Sequence, residues 1–404
     1  MISSRPLIHF WTPGLFEFKG GIQVYSGFLL RALQSLYPDA TIQVFVMHDR
    51  HLPARDPQHS NTQFHGLGLY PKRLRTAAFA TQAIASALWQ RPDLVITTHL
   101  NFTVAAHALK QAIGTPYWAI AHGFEAWKIQ RSALQQAVTQ ADRILAVSEY
   151  TRERLLETLD LPASRVSLLS NTFNPQQFQI AEKPTYLLHR HGLTPDQPVL
   201  LTVNRLAAGE SYHAYDRVLA ALPQIRQVIP NVHYLIVGQG DDRTRLEQAI
   251  AQQQLQDCVT LTGFIPDAEL HHYYALCDVF AMPSKLEGFG IVFLEAMASG
   301  KPVLASNQDG GRDAVCRGAL GALVDPDDTE AIAQTLIKIL QKKHSNPLIC
   351  QPEALRQQAI QTFGFQKFQQ TLASLLSQHS QLSQSSAYES SPYHSVDFSR
   401  TGRP

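Results

Sequence analysis

Short apolar runs alternate along this chain with longer amphipathic stretches, the rhythm of parallel α/β architecture. In the first half the pattern predicts strands at Leu7–Trp11, Ile42–Met47, Leu94–Thr97, Tyr117–Ala121, Arg143–Val147 and Val166–Leu168. A helix is predicted over Ile22–Leu36, where Ile22, Tyr25, Leu29 and Leu33 recur at helical spacing. The rhythm lapses over residues 182–197, among prolines 184, 195 and 198, and this stretch reads as a linker. It restarts with strands predicted at Val199–Val203, Tyr234–Val237, Val259–Thr262, Val279–Met282, Val303–Ala305 and Ala322–Val324. The expected organisation is two doubly wound, Rossmann-like domains, residues 1–181 and 198–350, facing across a cleft. A closing helix over 351–377, carrying Phe363, Phe365 and Phe368, is expected to pack back on the first domain. The Ser- and Gln-rich tail, 378–404, is expected to be disordered.

Composition narrows the picture without changing it. The chain has 404 residues, more than one hydrophobic core usually organises. A formal net charge of +1 gives no global signal for nucleic acid. Four cysteines without a C-x-x-C pair argue against a structural zinc site or a disulfide framework. No apolar stretch is long enough to span a bilayer, and the N-terminus lacks the long apolar core of a signal peptide. The expected location is cytoplasmic. Lys72, Arg73 and Arg75 ahead of an alanine-rich helix leave room for a weak peripheral contact at the inner membrane face; a packed helix with a solvated start is the stronger reading.

Candidate chemistry concentrates in Met282–Gly300, MPSKLEGFGIVFLEAMASG. A strand ends near Met282, a loop carries Glu287-Gly288-Phe289-Gly290, and a helix begins at Ile291. Such a helix start presents free N–H groups to a phosphate. Glu287 in the loop and Glu295 in the helix can each hold hydroxyl groups, because a carboxylate accepts from two at once. Gly20-Gly21 sits between the first strand and the first helix, where a backbone can approach a diphosphate or simply make a tight turn. His122 and His99 follow predicted strands, and Arg205 follows Val199–Val203 with a guanidinium suited to a diphosphate.

The Glu287-to-Glu295 string, with E-G-F-G before the helix and E-A-M-A-x-G-x-P-V within and after it, resembles the Glu-x7-Glu motif of family 4 retaining glycosyltransferases, which have the GT-B fold. Similar landmarks run through most of the chain: Gly20-Gly21, His122-Gly123, the stretch from Ala141 to Tyr150, Asn204-Arg205-Leu206, Val237–Gly240 and Gly263-Phe264. The resemblance implies transfer of a hexose from a UDP- or GDP-linked donor to a glycan, lipid-linked or small-molecule acceptor, with no cofactor beyond the nucleotide sugar. It implies that Glu295 holds the donor ribose, that Glu287 contacts the transferred hexose, and that the amides of Phe289, Gly290 and Ile291 face sugar and phosphates. By the same resemblance Gly20, Gly21, Arg205, Gly238, Phe264 and Gly288 belong to the donor site and His122 lies near the anomeric side. His99, at the end of a predicted strand, is a second cleft candidate, for the acceptor, and an ordinary structural histidine is an equal reading.

One departure stands out. Where the family places a lysine before a glycine, this chain has His213-Ala214, so His213 is the expected diphosphate contact. That replacement keeps a non-catalytic sugar-nucleotide binder in view, beside an epimerase or a phosphorylase on the same fold. Val237-Gly238-Gln239-Gly240 lacks the third glycine of a dinucleotide fingerprint. Asp325-Pro326-Asp327 reads as a turn with a helix cap rather than a metal site. No metal is expected.

Overall fold

The structure, a computed structural model, describes residues 5–17, 20–209 and 215–389, with side chains through 378. Seven strands form the first sheet: β1 (Leu7–Thr12), β2 (Thr41–Val46), β3 (Thr62–Gly66), β4 (Leu94–Thr97), β5 (Tyr117–Ala121), β6 (Arg143–Ala146) and β7 (Val166–Leu168). They lie in the order β3-β2-β1-β4-β5-β6-β7, every ladder parallel. Six more form the second: β8 (Val199–Val203), β9 (His233–Val237), β10 (Val259–Gly263), β11 (Val279–Met282), β12 (Val303–Ser306) and β13 (Ala322–Val324). Their order is β10-β9-β8-β11-β12-β13, again all parallel. Helices fill the crossovers except that from β2 to β3, which is a loop. The strand order reverses between β1 and β4 and between β8 and β11, and the crevices beyond their C-terminal ends are where such sheets take ligands.

The strand β3 has no apolar run to announce it. It is an edge strand, and its polar side chains are matched to β2: Gln43 bonds Gln63 (3.4 Å) and His65 (2.6 Å). Only Thr62 and Phe64 are buried.

Two expectations about the connections need correction. The segment 182–197 contains a helix, Thr185–His191, opened by Pro184 and closed by Gly192 at φ 64°. Leu187 and Leu188 on it are buried, so it belongs to the second domain's wall rather than to a free linker. At the other end, two helices replace the single closing one: Pro352–Phe363 and Phe365–Glu389, broken at Gly364. The second runs through residues 378–389, where disorder was expected. Extending an anchored helix costs far less than nucleating one, so a Gln- and Ser-rich sequence can follow it. Residues 390–404 lie outside the described residues.

The closing helices join the halves. Phe368 stacks edge-on with Tyr25 of the helix Gly21–Leu36 (5.7 Å), Phe365 lies 5.8 Å from Phe28, and Phe363 meets Phe289 at 5.5 Å. One continuous buried cluster runs from Ile8 and Tyr25 through Phe293 and Met297 to Leu376. Arg356 adds polar ties, donating to the carbonyls of Phe178, Ala298 and Pro175.

Burial also leaves a pH signature. His9, His122 and His233 are pushed down to about 4, chiefly by burial. Each is neutral when folded yet protonates below about 6.5 when unfolded, so the unfolded chain binds more protons between those values. Stability therefore falls as pH drops from about 6.5 toward 4, by about 1.4 kcal/mol per unit for a fully buried group. Asp309, raised to about 7 by burial, acts in the opposite sense and offsets one of the three. A melting temperature lower at pH 5 than at pH 7 is the expected result. An unchanged one contradicts it.

Candidate active site

The loop between β11 and the helix Ile291–Ala298 is held by its own backbone and by one buried carboxylate. Gly290 caps the helix at φ 87°, a conformation disfavoured for residues bearing a Cβ, and a Cβ there would meet the Phe293 ring at 2.5 Å. The first turn contains no acidic residue, and no side chain caps it. Within the loop, the Phe289 amide donates to Glu287 Oε1 at 3.3 Å. Glu295 is half-buried one turn into the helix, and the fully buried Tyr274 donates its hydroxyl to Glu295 Oε2 at 2.7 Å. That bond fixes the carboxylate while leaving its remaining lone pairs as acceptors. Burial and the Glu295 charge push the Tyr274 hydroxyl well above its ordinary range, so it stays a donor.

Across the cleft, His122 follows β5. Its Nε2 donates to the Thr98 carbonyl at 3.0 Å, and its own amide donates to Glu125 Oε1 at 2.6 Å. The ring packs edge-on against Tyr25 at 5.0 Å. Burial holds the imidazole near 4, only partly countered by Glu125, so it is neutral at ordinary pH with Nδ1 unprotonated. His99, after β4, accepts the Asn101 amide on Nδ1 (3.1 Å); burial and then the nearby His48 lower its pKa as well. Gly20 is the cap of the helix Gly21–Leu36, extended at φ −126°, and a Cβ on Gly21 would meet open space.

The two walls touch through glycines. Gly123, at φ 152°, faces Gly288, and a Cβ on Gly288 would overlap the His122 carbonyl. The Gly288 carbonyl accepts from Thr151 Oγ1 (3.4 Å), the Tyr150 amide donates to Asp313 Oδ2 (2.8 Å), and Arg312 pairs with Glu153 (2.5 Å). His122, Glu287, Glu295 and the start of the first helix are thus gathered at the C-terminal edges of both sheets.

Residues 19–177 match the family described as Glycosyltransferase Family 4, and residues 188–388 match that described as Glycosyl transferases group 1. The chain belongs to the family 4, group 1 glycosyltransferases. A GDP-mannose-dependent alpha-(1-6)-phosphatidylinositol monomannoside mannosyltransferase of Mycolicibacterium smegmatis is 31% identical over 55% of this chain and 60% of the relative. An alpha-D-kanosaminyltransferase of Streptomyces kanamyceticus is 30% identical over 52% of this chain and 54% of the relative. The matched stretch thus spans little more than half the length of these relatives. Among solved structures, an Anabaena protein in complex with UDP and glucose superposes with a TM-score of 0.75 at 20% identity, covering 93% of this chain and all of that one. These neighbours give the fold as GT-B.

Within this family member, several expected site residues have identifiable surroundings. Phe264 follows β10 with 64% of its surface exposed. Arg205 is exposed beyond β8. Gly238, at φ 148°, packs so closely on the Asn204 carbonyl that no side chain fits, which gives this glycine a structural reason independent of any ligand. His213 lies outside the described residues. Asp325 accepts the Asp327 amide (2.8 Å), while Asp327 pairs with Lys285 (2.5 Å) and Arg217 (2.9 Å). The helix cap is the next residue, Asp328, which accepts the Ala331 amide. Among the described residues no cluster of three His, Cys, Asp or Glu is arranged to hold a metal. No described helix is long and apolar enough to cross a membrane. Leu69, Tyr70 and Leu74 are exposed around Lys72 and Arg73.

Sequence reasoning missed Tyr274 and Asp309. Tyr274 carries no local signal, because its partner Glu295 comes from another helix. Asp309 could have been suspected from its place, an acid after β12 and directly before Gly310-Gly311.

Proposed function

We propose that this chain transfers a hexose, with retention, from a UDP- or GDP-linked donor to a carbohydrate or lipid-linked acceptor. The observation that carries this is the pair Glu287 and Glu295 flanking an uncapped helix start, with Tyr274 fixing Glu295. Glu295 accepts from the ribose hydroxyls, and Glu287 accepts from the hexose. The amides of Phe289, Gly290 and Ile291, with Arg205, His213 and the Gly20-Gly21 helix start, stabilise the diphosphate as charge develops on it. The exposed Phe264 ring offers a stacking surface to the base.

In the step itself the bond from the anomeric carbon to the phosphate oxygen breaks, and a bond to the acceptor oxygen forms on the same face. The acceptor proton passes to the departing phosphate oxygen. Neutral His122 beside the anomeric side contributes position and a lone pair rather than a charge. Catalysis by positioning and electrostatics requires no metal, so EDTA is expected to leave turnover unchanged. A strict manganese requirement would count against this reading and direct attention to Asp325 and Asp327.

The donors named for the relatives and neighbours make GDP-mannose and UDP-glucose the first to assay. Titration calorimetry of wild type and Glu295→Ala with both tests the proposal. Wild type should bind one of them, and the variant should bind it more weakly by about 1.5–3 kcal/mol, the loss of charge-assisted hydrogen bonds to ribose. Equal affinities would remove Glu295 from the site. Turnover assayed with soluble sugars and with glycolipids in anionic vesicles separates the acceptor classes, and the exposed Leu69, Tyr70 and Leu74 beside Lys72 and Arg73 favour the vesicles.

A further inference from the structure

The loop that carries Glu287 is not held by its own backbone alone. Its clamp is Asp309, fully buried after β12. Oδ2 accepts the Ser284 hydroxyl at 2.7 Å and the Glu287 amide at 2.9 Å, while Oδ1 accepts the Gly311 amide at 2.9 Å. The Gly310 amide returns a bond to the Glu287 carbonyl at 2.8 Å. A Cβ on Gly310 would overlap the Gly288 backbone, so the two segments are in direct contact. One carboxylate therefore fixes both ends of the turn that presents Glu287, against the segment that also docks on Tyr150 and Glu153.

We propose that Asp309 is a positioning residue for the donor site, and that its ionised carboxylate holds the Glu287 loop in its binding geometry while protonation releases it. This rests on the reading of that loop as the donor site and adds its control by a proton.

Three donors converge on Asp309, and two are backbone amides that cannot turn away. Protonation removes the charge that strengthens all three bonds and turns one of the carboxylate's four lone pairs into a donor. Burial opposes the ionised form and is the largest influence, and the Glu287 carboxylate acts in the same direction. The Ser284 hydroxyl and the amides of Glu287 and Gly311 favour ionisation, leaving Asp309 at about 7. The cations of the neighbouring segments are directed elsewhere: Lys285 to Asp327 and Arg312 to Glu153. Tyr150, on the facing helix Glu149–Leu159, feels the Asp309 charge but carries none of its own at neutral pH. The clamp is thus poised to titrate near neutrality.

If only the ionised form holds the loop, the competent fraction one unit below the midpoint is about one-tenth, and apparent affinity there falls about tenfold. The test measures UDP and GDP binding by calorimetry from pH 5.5 to 8.5 on wild type, Asp309→Asn and Ser284→Ala. Titration of the ligand phosphates and of every unaltered side chain is common to all three, so differences between profiles isolate Asp309. Wild-type affinity should rise about tenfold relative to Asp309→Asn between pH 6 and 8. Removing the Ser284 hydroxyl takes away a bond that favours ionisation, so Ser284→Ala should move the midpoint to higher pH. A merely structural contact would weaken binding equally at every pH. Parallel profiles for wild type and Asp309→Asn would overturn the proposal. If neither nucleotide binds the wild type, the donor-site reading fails instead. The clamp is then decided without ligand by hydrogen exchange at the Glu287 and Gly311 amides. Protection lost below pH 7 in wild type, relative to pH 8, supports it, and protection constant with pH overturns it.

Discussion

A chain ending at Gln351 is expected to lose its cooperative melting transition and to collect in the insoluble fraction. The deletion removes Leu355, Phe363, Phe368, Leu372, Leu375 and Leu376 from the buried cluster. At about 1.5–3 kcal/mol for each large apolar side chain taken out of water, these six contribute about 9–18 kcal/mol before the cost of ordering the two helices. Net stability of a folded domain is only about 5–15 kcal/mol. The deletion also uncovers the partners left behind: Tyr25 and Phe28 on one domain, Phe289 and the helix Ile291–Ala298 on the other. Arg356, with its three carbonyl partners, goes with it. Sedimentation of the expressed protein and a thermal scan of any soluble fraction check this. A soluble truncated chain with an unchanged transition would show that the closing helices are not part of the core.

Gly288→Ala should cost about a hundredfold in turnover with a much smaller change in melting temperature. The added Cβ meets the His122 carbonyl and the Gly123 Cα, both backbone, so no flexible side chain can yield. The strain can be relieved only by moving the Glu287 loop away from the β5 edge, and an ångström of misplacement at a reacting centre is enough for an effect of this size. Gly27→Ala is the control for the added methyl itself. Gly27 lies within the helix Gly21–Leu36, and its Cβ would meet nothing within 4 Å. There alanine should stabilise by about 0.5–1 kcal/mol. Wild-type turnover in Gly288→Ala would mean that the two walls need not approach this closely for catalysis.

The parallel strands, the helix starting at Ile291 and the family were all legible in the sequence, and for a common reason. A strand buried on both faces must be a short continuous apolar run, so β1, β4, β5, β8 and β11 announce themselves. A glycine-rich turn into a helix leaves its own local mark at Glu287–Ile291. The strand β3 was hidden because an edge strand buries only one face and pairs its glutamine and histidine with Gln43. The helices at Thr185–His191 and beyond Gln378 were hidden because an anchored helix tolerates residues that would not nucleate one. Sequence named Glu295 and His122 but left their states open. Tyr274 and Thr98, distant along the chain or on another element, orient the carboxylate and set the imidazole's tautomer. Asp309 could be suspected from its place before Gly310-Gly311, but not its part in holding the loop, for the same reason. Its role and its raised pKa come from burial and from donors on two separate segments, and desolvation is a property of packing that no local stretch of residues encodes.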